Sequence, residues 1–446
     1  MAAADYALTC SARWATIGLL RPRIRTGIAL AIAVYIVAAV PAARADIFAV
    51  SDRSVSTPGT NTDIVQVDTA TLAASLPSGV NTAANEFYPS VSADGTRLVF
   101  ERQPDPNTTR IILVDLTNGH QADVLNGFDA ASIGPVSPSI TPDGTGVLIG
   151  SSNGTGPVLI DVSSFPSGPF PHTDIAGASH PVEPVAAGSA RGSVFAFVSS
   201  SGSGPIEYGR IGGSTLKQVP ATSQLSLNPA IGSPGGTQTI LFNAANPFGT
   251  ADISFCAPIS PTSNCQVASL PGVVNSNAGE TRPAFTPDGR YVGFLRTVAG
   301  HQRVFVWDSD TQTLLDNSGA DLGGGPTGPI FSNLSLYEKF VFHGVSLSPR
   351  GSVQFDLTLP SLVGIIVQRV EGHQRLFGRT VPRLGPLRRV PLGSFRRGHG
   401  HAHWNLRVDG KPLRPGTYQV TVRALTRAHR IRDLSKPRLL RIRGGA

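Results

Sequence analysis

The chain has 446 residues, of which 40% are hydrophobic and 15% are charged. This composition is that of a globular protein with a sizeable core, and it excludes an intrinsically disordered chain. The 49 glycines and 36 prolines, with few helix-period apolar stripes after residue 45, argue against a helical bundle and favour many short strands joined by tight turns. We therefore predict an all-β fold.

The N-terminus has the pattern of a secretory signal. Arginines between positions 13 and 25 precede an uncharged run from 28 to 40, and Ala43 and Ala45 are small residues suited to a cleavage site. The alternative is a membrane anchor, but the run is shorter than the roughly 20 residues that a spanning helix needs. We predict a signal peptide over 1–45 and export to the periplasm, cell surface or medium, with no transmembrane helix after cleavage.

A short turn sequence recurs along the middle of the chain, and each copy precedes an alternating apolar strand. An Asp side chain can cap such a bend, and the Gly after it can adopt the positive φ that the turn requires. The predicted turn residues are Asp94, Gly95, Asp143, Gly144, Asp288 and Gly289. A calcium site would need about six oxygens around one ion, so one Asp per turn favours a structural role over a metal site.

A second repeated element is a strand that ends in Asp. These Asp residues are Asp68, Asp115, Asp161 and Asp308, separated by 47, 46 and 147 residues. The last interval is about three times the others, which predicts two degraded repeats between them. Self-similarity at this period is typical of a β-propeller, and we predict six blades.

The six predicted repeats cover most of the chain. They lie near 46–82, 83–130, 131–178, 179–222, 223–275 and 276–326. The first repeat lacks an innermost strand of its own, and residues 329–332 are a candidate to supply it, although they could equally begin the next domain. The predicted domains are the propeller over 46–326 and a second domain over 327–446.

Two copies of the repeat, residues 88–100 and 282–294, resemble the repeat of TolB-type β-propellers. The resemblance covers about 280 residues. It implies an exported six-bladed propeller that acts as a protein-binding platform in the cell envelope. Because the same repeat also occurs in propellers fused to serine peptidases and in polysaccharide-degrading enzymes, the resemblance implies the fold more than an activity.

Cys256 and Cys265 enclose a short loop. In an oxidising compartment, two such cysteines form a disulfide, and we predict that pairing. The alternative is a pair of metal-binding thiolates, which lacks two further ligands nearby in the sequence.

The region after residue 326 differs from the repeats in charge and in pattern. Residues 344–446 carry about 20 Lys and Arg against 4 Asp and Glu, whereas residues 46–343 carry about 12 against 24. Alternating strands near 353–359, 362–370 and 419–424 predict a small β-sandwich, with 362–370 as the partner of 353–359. The order from Trp404 to Tyr418 is similar to the Ig-like domain of flagellar hook-capping proteins, which implies an attachment module.

Three histidines, His399, His401 and His403, fall on one face of a predicted strand and could offer nitrogens to zinc or copper. The alternative is a basic strand edge next to Arg396 and Arg397, whose charge opposes a cation. Other histidines are dispersed through the chain at His120, His172, His180, His301 and His343, and nothing in the sequence shows that they converge.

The leading hypothesis is an exported, non-catalytic and monomeric binding protein of the cell envelope. Its propeller would bind an envelope protein or a glycan, and its basic C-terminal module would attach to an anionic surface such as a cell-wall polymer. No nucleic-acid partner and no cofactor are expected. A serine peptidase is rejected because no Gly-x-Ser-x-Gly elbow occurs; residues 344–348 come closest. The alternatives are a propeller lyase or hydrolase acting on an acidic polysaccharide, and a tail that docks on the acidic propeller.

Overall fold

The computed structural model describes residues 44–51, 62–68, 74–126, 135–151, 156–175, 181–187, 194–199, 204–213, 215–220, 227–245, 250–260, 263–315, 320–321, 334–339, 341–427 and 431–443. Their regular secondary structure consists of β-strands and one short 3₁₀ turn, Pro234–Gly236, so the all-β prediction is confirmed. Most of the predicted signal peptide and the candidate closing residues 329–332 lie outside the described residues. No helix among the described residues is long and apolar enough to cross a membrane.

The described strands of the N-terminal region are short and follow one another closely. They are β1 (Arg44–Ser51), β2 (Asp63–Val67), β3 (Ala74–Ser75), β4 (Asn85–Val91), β5 (Arg97–Asp105), β6 (Thr108–Asp115), β7 (Gln121–Asp123), β8 (Pro135–Ile140), β9 (Gly146–Ser151), β10 (Val158–Asp161), β11 (His172–Asp174), β12 (Val182–Ala187), β13 (Val194–Val198), β14 (Ile206–Arg210), β15 (Lys217–Gln218), β16 (Leu227–Gly232), β17 (Thr239–Ala245), β18 (Ala251–Ala257), β19 (Gln266–Ser269), β20 (Glu280–Phe285), β21 (Tyr291–Val298), β22 (His301–Asp308), β23 (Thr313–Leu314), β24 (Ala320–Asp321) and β25 (Leu334–Lys339).

These strands form antiparallel sheets of neighbours in sequence. Four sheets have the orders β4-β5-β6-β7, β8-β9-β10-β11, β12-β13-β14-β15 and β16-β17-β18-β19, and a fifth has the order β20-β21-β22-β23 with β24 beside β22. Each of these sheets falls within one of the predicted repeats. Consecutive four-stranded antiparallel sheets of this kind are the units from which β-propellers are built.

The first sheet is completed by a strand from much later in the chain. β25 pairs antiparallel with β1, with Ile47 opposite Leu336, and the sheet continues through β2 and β3. The innermost strand that the first repeat lacks is therefore supplied by residues 334–339. These residues follow the domain boundary predicted at 326, so the pairing places them with the N-terminal sheets.

The first strands of the sheets face a common axis. A cavity of about 70 Å³ is lined by residues of β4, β8, β12, β16, β20 and β25, among them Ser90, Ser139 and Ser335. These six strands also contact one another in a closed cycle, from β4 through β8, β12, β16, β20 and β25 back to β4. The sheets are therefore arranged in a ring about this cavity.

The C-terminal module is also built of strands. They are β26 (Phe342–Leu347), β27 (Ser352–Leu357), β28 (Ser361–Leu376), β29 (Arg379–Leu384), β30 (Arg388–Phe395), β31 (Gly398–His403), β32 (Arg407–Val408), β33 (Lys411–Pro412), β34 (Gly416–Leu425), β35 (Ile431–Leu434) and β36 (Arg438–Ile442). A small sheet, β26-β27-β31, faces a larger one in which β28 pairs with β29, β30 and β34, and β34 pairs with β35 and β36.

The two sheets enclose a shared apolar core. Phe355 of the small sheet and Ile365 of the large sheet are both fully buried in it, and Trp404 and Tyr418 are buried there as well. The prediction that residues 353–359 pair with residues 362–370 is wrong, because β27 and β28 belong to opposite sheets. Both strands alternate because both bury one face, and these faces pack against each other across the core.

The module packs against the N-terminal sheets through the other face of its large sheet. Ile366 and Leu434 belong to the same core cluster as Leu336 of β25 and Tyr291 of β21. Farther along, the turn between β28 and β29 carries Phe377, which is fully buried. This contact makes the large sheet the middle of three packed layers.

Candidate functional site

The three repeated turns have one geometry. The Asp carboxylate accepts hydrogen bonds from the hydroxyl two residues before it and from the N–H two residues after it. In the second turn, the donors to Asp143 are the Thr141 hydroxyl at 2.6 Å and the Thr145 N–H at 3.1 Å. The same bonds form at Asp94 and Asp288, and Gly95, Gly144 and Gly289 have φ values of 71°, 72° and 73°. The Asp side chains thus stabilise the turns through hydrogen bonds within each turn.

The cysteines and the histidine cluster lie elsewhere. Cys256 at the end of β18 is joined in a disulfide to Cys265, with Cα atoms 5.4 Å apart. His399, His401 and His403 lie on the exposed face of β31, where His399 Nδ1 is 3.0 Å from Asp356 Oδ1 and His401 Nε2 is 3.0 Å from Ser352 Oγ. No three His, Cys, Asp or Glu side chains of the described residues are grouped to hold a metal.

The dispersed histidines are not brought to the central cavity. His120 is exposed in the turn after β6, His172 is exposed on β11, the last strand of its sheet, and His343 is exposed on β26 of the C-terminal module. His301 begins β22, and His180 lies outside the described residues. A histidine centre on the axis is therefore not formed by the residues that the structure describes there.

The feature that stands out is a ring of five residues on the first strands of consecutive sheets. Each has a positive φ, between 51° and 59°, each precedes a proline, and each lies at a break in the strand register. They are Tyr88, Ser137, Glu183, Asn228 and Arg282. Residues other than Gly rarely adopt this backbone conformation, and a following proline restricts the backbone further. Strain repeated at equivalent positions marks a candidate functional site.

Glu183 is the centre of a hydrogen-bond network in this ring. Its carboxylate accepts bonds from the N–H and the side-chain amide of Asn228, both at 2.7 Å, and from Arg282 Nη1 at 3.0 Å. Asn243 extends the network, since its amide donates to Asn228 Oδ1 at 2.9 Å and its Oδ1 accepts from the Arg282 N–H at 3.1 Å. One carboxylate thereby joins three neighbouring sheets.

A second carboxylate supports the other side of the ring. Glu101 is buried on β5, and its Oε2 accepts the N–H of Ser137 at 3.3 Å. Burial raises the pKa of Glu101. Burial, together with the negative charges of Glu101 and Glu183, also raises the pKa of the Tyr88 phenol.

The ring leaves little space along the axis. The cavity between Tyr88, Ser137, Glu183 and Asn228 has a volume of about 10 Å³, which is room for about one water molecule. A pocket for a sugar or a drug-sized ligand usually has 300–1,000 Å³. The ring is therefore a nearly closed polar floor, and the side chains of Glu183 and Arg282 keep 21% and 18% of their surface exposed.

The sequence contains a signal for this ring that the repeat analysis missed. Each ring residue is followed by proline, and the ring residues recur at intervals of 45 to 54 residues. The residues before the prolines differ in every copy, so a comparison based on the residues that the repeats share does not identify them. Variable residues at equivalent positions of a repeat are where a repeat protein places its specificity.

No protein-family model matches the chain, and no curated protein matches its sequence. Among solved structures, the chain is similar to TolB from Acinetobacter baumannii, with 16% identity, a TM-score of 0.47 and coverage of 65% of this chain and 66% of that one. It is also similar to a chain of the nidogen/laminin complex (9% identity, TM-score 0.45, coverage 66% and 98%) and to oligogalacturonate lyase in complex with manganese (11%, 0.36, coverage 71% and 80%). At these scores, the similarities carry no conclusion about activity or ligand.

Proposed function

We propose that the chain is an exported, non-catalytic binding protein of the cell envelope, built as a six-bladed β-propeller with an Ig-like attachment module. The sheets around the common cavity are its blades, and β25 closes the ring by pairing with β1. The propeller comprises residues 44–339, and the module begins at residue 341. The partner binds at the end of the axis where the five-residue ring lies.

The observation that carries this proposal is the closed polar ring. Its one carboxylate, that of Glu183, is occupied by hydrogen bonds within the ring, and about 10 Å³ is too little for a substrate to enter. A lyase or hydrolase acting at this end of the axis would need an open pocket there with a free acid or base. A preorganised polar floor instead suits a surface contact, and Tyr and Arg are enriched among the residues that contribute most to binding at protein interfaces. We therefore favour a protein partner over a glycan.

The module is proposed to hold the protein at an anionic surface. Two separate edge strands of its large sheet are basic: Arg388 and Arg389 are exposed on β30, and Arg438 and Arg441 are exposed on β36. Exposed charges of this kind attract an anionic polymer or lipid surface, and salt weakens the attraction.

The partner site is tested by crosslinked pull-down from the envelope of the producing cells. Asn tolerates a positive φ, so Tyr88→Asn and Arg282→Asn remove the side chains and keep the backbone. The matched control is Arg210→Asn, which changes an exposed residue on β14. We expect both ring variants to lose the protein captured by the wild type and the control to keep it. Equal capture by all four proteins, or capture of glycan alone, would contradict the proposal.

Attachment is tested without truncating the module, because its removal would expose the core that it shares with β21 and β25. We expect the combined variant Arg388→Gln, Arg389→Gln to wash from the envelope at lower salt than the wild type. Release at the same salt concentration would count against the attachment role.

A further inference from the structure

A second cavity lies where the repeated turns meet the C-terminal module. Its volume is about 390 Å³, within the usual range for a small-molecule pocket. The propeller contributes Ser233, Asp288, Ser309 and Asp310, and the module contributes Arg379 and Lys436. Asp288 follows β20, whereas the ring residue Arg282 lies in its first half, so the two sites are at opposite ends of that strand.

The module side of the cavity supplies two cations. The buried Nε of Arg379 has no hydrogen-bond partner among the described residues. Its guanidinium lies against Gly235, where a Cβ would overlap it, so the bare backbone of the turn makes room for this side chain. Lys436 is exposed. A guanidinium and an ammonium group that line the same cavity can together bind a carboxylate or a phosphate.

The propeller side supplies hydroxyl groups and carboxylates. Asp310 lies 3.6 Å from Arg290, and Asp288 Oδ1 accepts the Arg290 N–H at 2.8 Å. Burial raises the pKa of Asp310, and the Arg290 charge opposes this rise. The Asp310 carboxylate has lone pairs beyond its contact with Arg290, and carboxylates and serine hydroxyls can accept hydrogen bonds from the hydroxyl groups of a polar ligand.

We propose that this cavity binds a small hydroxylated anion, a sugar acid or a sugar phosphate. Arg379 and Lys436 bind its anionic group, and Asp310 and Ser309 bind its hydroxyl groups. The proposal goes beyond the partner site at the ring and does not depend on it. Because the two halves of the cavity come from the propeller and the module, the bound anion also bridges them.

The test is titration calorimetry of the full mature chain with D-glucuronate, D-glucose 6-phosphate, D-glucose and inorganic phosphate. We expect one or both of the sugar anions to bind, neutral glucose to show no binding, and inorganic phosphate to bind at least tenfold more weakly than the sugar anion. Whichever of D-glucuronate and D-glucose 6-phosphate binds more tightly identifies the preferred anionic group as carboxylate or phosphate. Phosphate binding as tight as that of the tighter-binding sugar anion would overturn the assignment of the hydroxyl contacts.

Variants decide whether binding occurs in this cavity. Arg379→Gln and Lys436→Gln should each weaken sugar-anion binding at least tenfold. The control Arg375→Gln changes an exposed arginine on the neighbouring strand β28 and should bind as the wild type does. Since Lys436 is exposed, its variant folds whether or not Arg379 is needed for packing. Failure of both sugar anions to bind, or equal binding by Lys436→Gln and the wild type, would overturn the proposal.

Discussion

Arg290 donates two hydrogen bonds to the carboxylate of Asp308, from Nε to Oδ1 at 3.3 Å and from Nη2 to Oδ2 at 3.1 Å, and both side chains are buried. The same guanidinium donates to the main-chain carbonyls of Leu434 and Ser435, each at 3.0 Å. Arg290 belongs to a repeated turn of the propeller, and the carbonyls belong to the module. A turn residue thus makes a buried polar connection between the two parts.

Replacing Arg290 should strongly destabilise the protein. Arg290→Met leaves Asp308 buried without its partner and leaves two carbonyls unpaired, and breaking a buried pair in this way costs about 3–5 kcal/mol. The measurement is urea unfolding, followed by the fluorescence of the buried Trp307 and Trp404. In the control, Arg388→Met breaks an exposed pair with Asp409 and should change the free energy of unfolding by at most about 1 kcal/mol. Equal losses in both variants would refute a special role for Arg290.

Phe377 should be a second point of attachment. Its ring lies 5.1 Å from Phe255, 5.8 Å from Phe285 and 6.3 Å from Trp307, measured between ring centroids. Phe377→Ala should lower the free energy of unfolding by about 3–5 kcal/mol, because it leaves a cavity between propeller and module. Leu439→Ala is the control, since Leu439 is 67% exposed and should change stability by less than about 0.5 kcal/mol. A small loss for Phe377→Ala would show that the module is held without this contact.

Asp433 should make stability depend on pH. Burial raises its pKa to about 7, against the hydrogen bonds that its Oδ2 accepts from the N–H groups of Val341 and Phe342. Between about pH 4 and pH 7 the folded protein keeps a proton that the unfolded chain releases, so this carboxyl lowers stability as pH rises through that window. Three pKa units correspond to at most about 4 kcal/mol.

The Asp433→Asn variant isolates this contribution. Its free energy of unfolding relative to the wild type should increase between pH 4.5 and 7.5, because the amide carries no charge that must stay buried. Asp409→Asn changes an exposed carboxyl and should show no such trend. A pH-independent difference for Asp433→Asn would mean that Asp433 titrates in the folded protein near its ordinary pKa.

The turn carboxylates should act through hydrogen bonds and not through a metal. Asp143→Ala removes the acceptor for Thr141 and Thr145 and should lower the free energy of unfolding by about 1–2 kcal/mol. Asp143→Asn keeps an acceptor oxygen and should lose less. Millimolar calcium should leave the melting temperature of the wild type unchanged, and a calcium-dependent rise that Asp143→Ala abolishes would argue for a metal site instead.

The turns and the strands that follow them could be predicted because their causes are local. The hydroxyl, Asp and Gly of residues 141–144 satisfy one another within a few residues, so the sequence pattern alone indicates the bend. The five-residue ring could not be found in this way. Its members come from five sheets, and only the ring of sheets brings the Glu183 carboxylate to Asn228 and Arg282.

The strand that pairs with β1 could not be predicted from the sequence for a similar reason. β25 lies nearly 290 residues after β1 in the sequence, and the residues around 334–339 contain no signal that identifies β1 as the strand with which β25 pairs. The two strands of the module, β27 and β28, both alternate because each buries one face. Alternation is the same whether two strands pair side by side or pack face to face.

Sequence alone determined that the chain is all-β, that its turns repeat with Asp and Gly, and that its C-terminal region is strongly basic, since each follows from residue type or from interactions between near neighbours. Only the tertiary structure decided that β25 completes the first sheet, that Arg290 and Phe377 make contacts between the propeller and the module, and that the axis is closed by a polar ring. Those outcomes depend on which distant surfaces bury one another, and burial is a property of the whole fold.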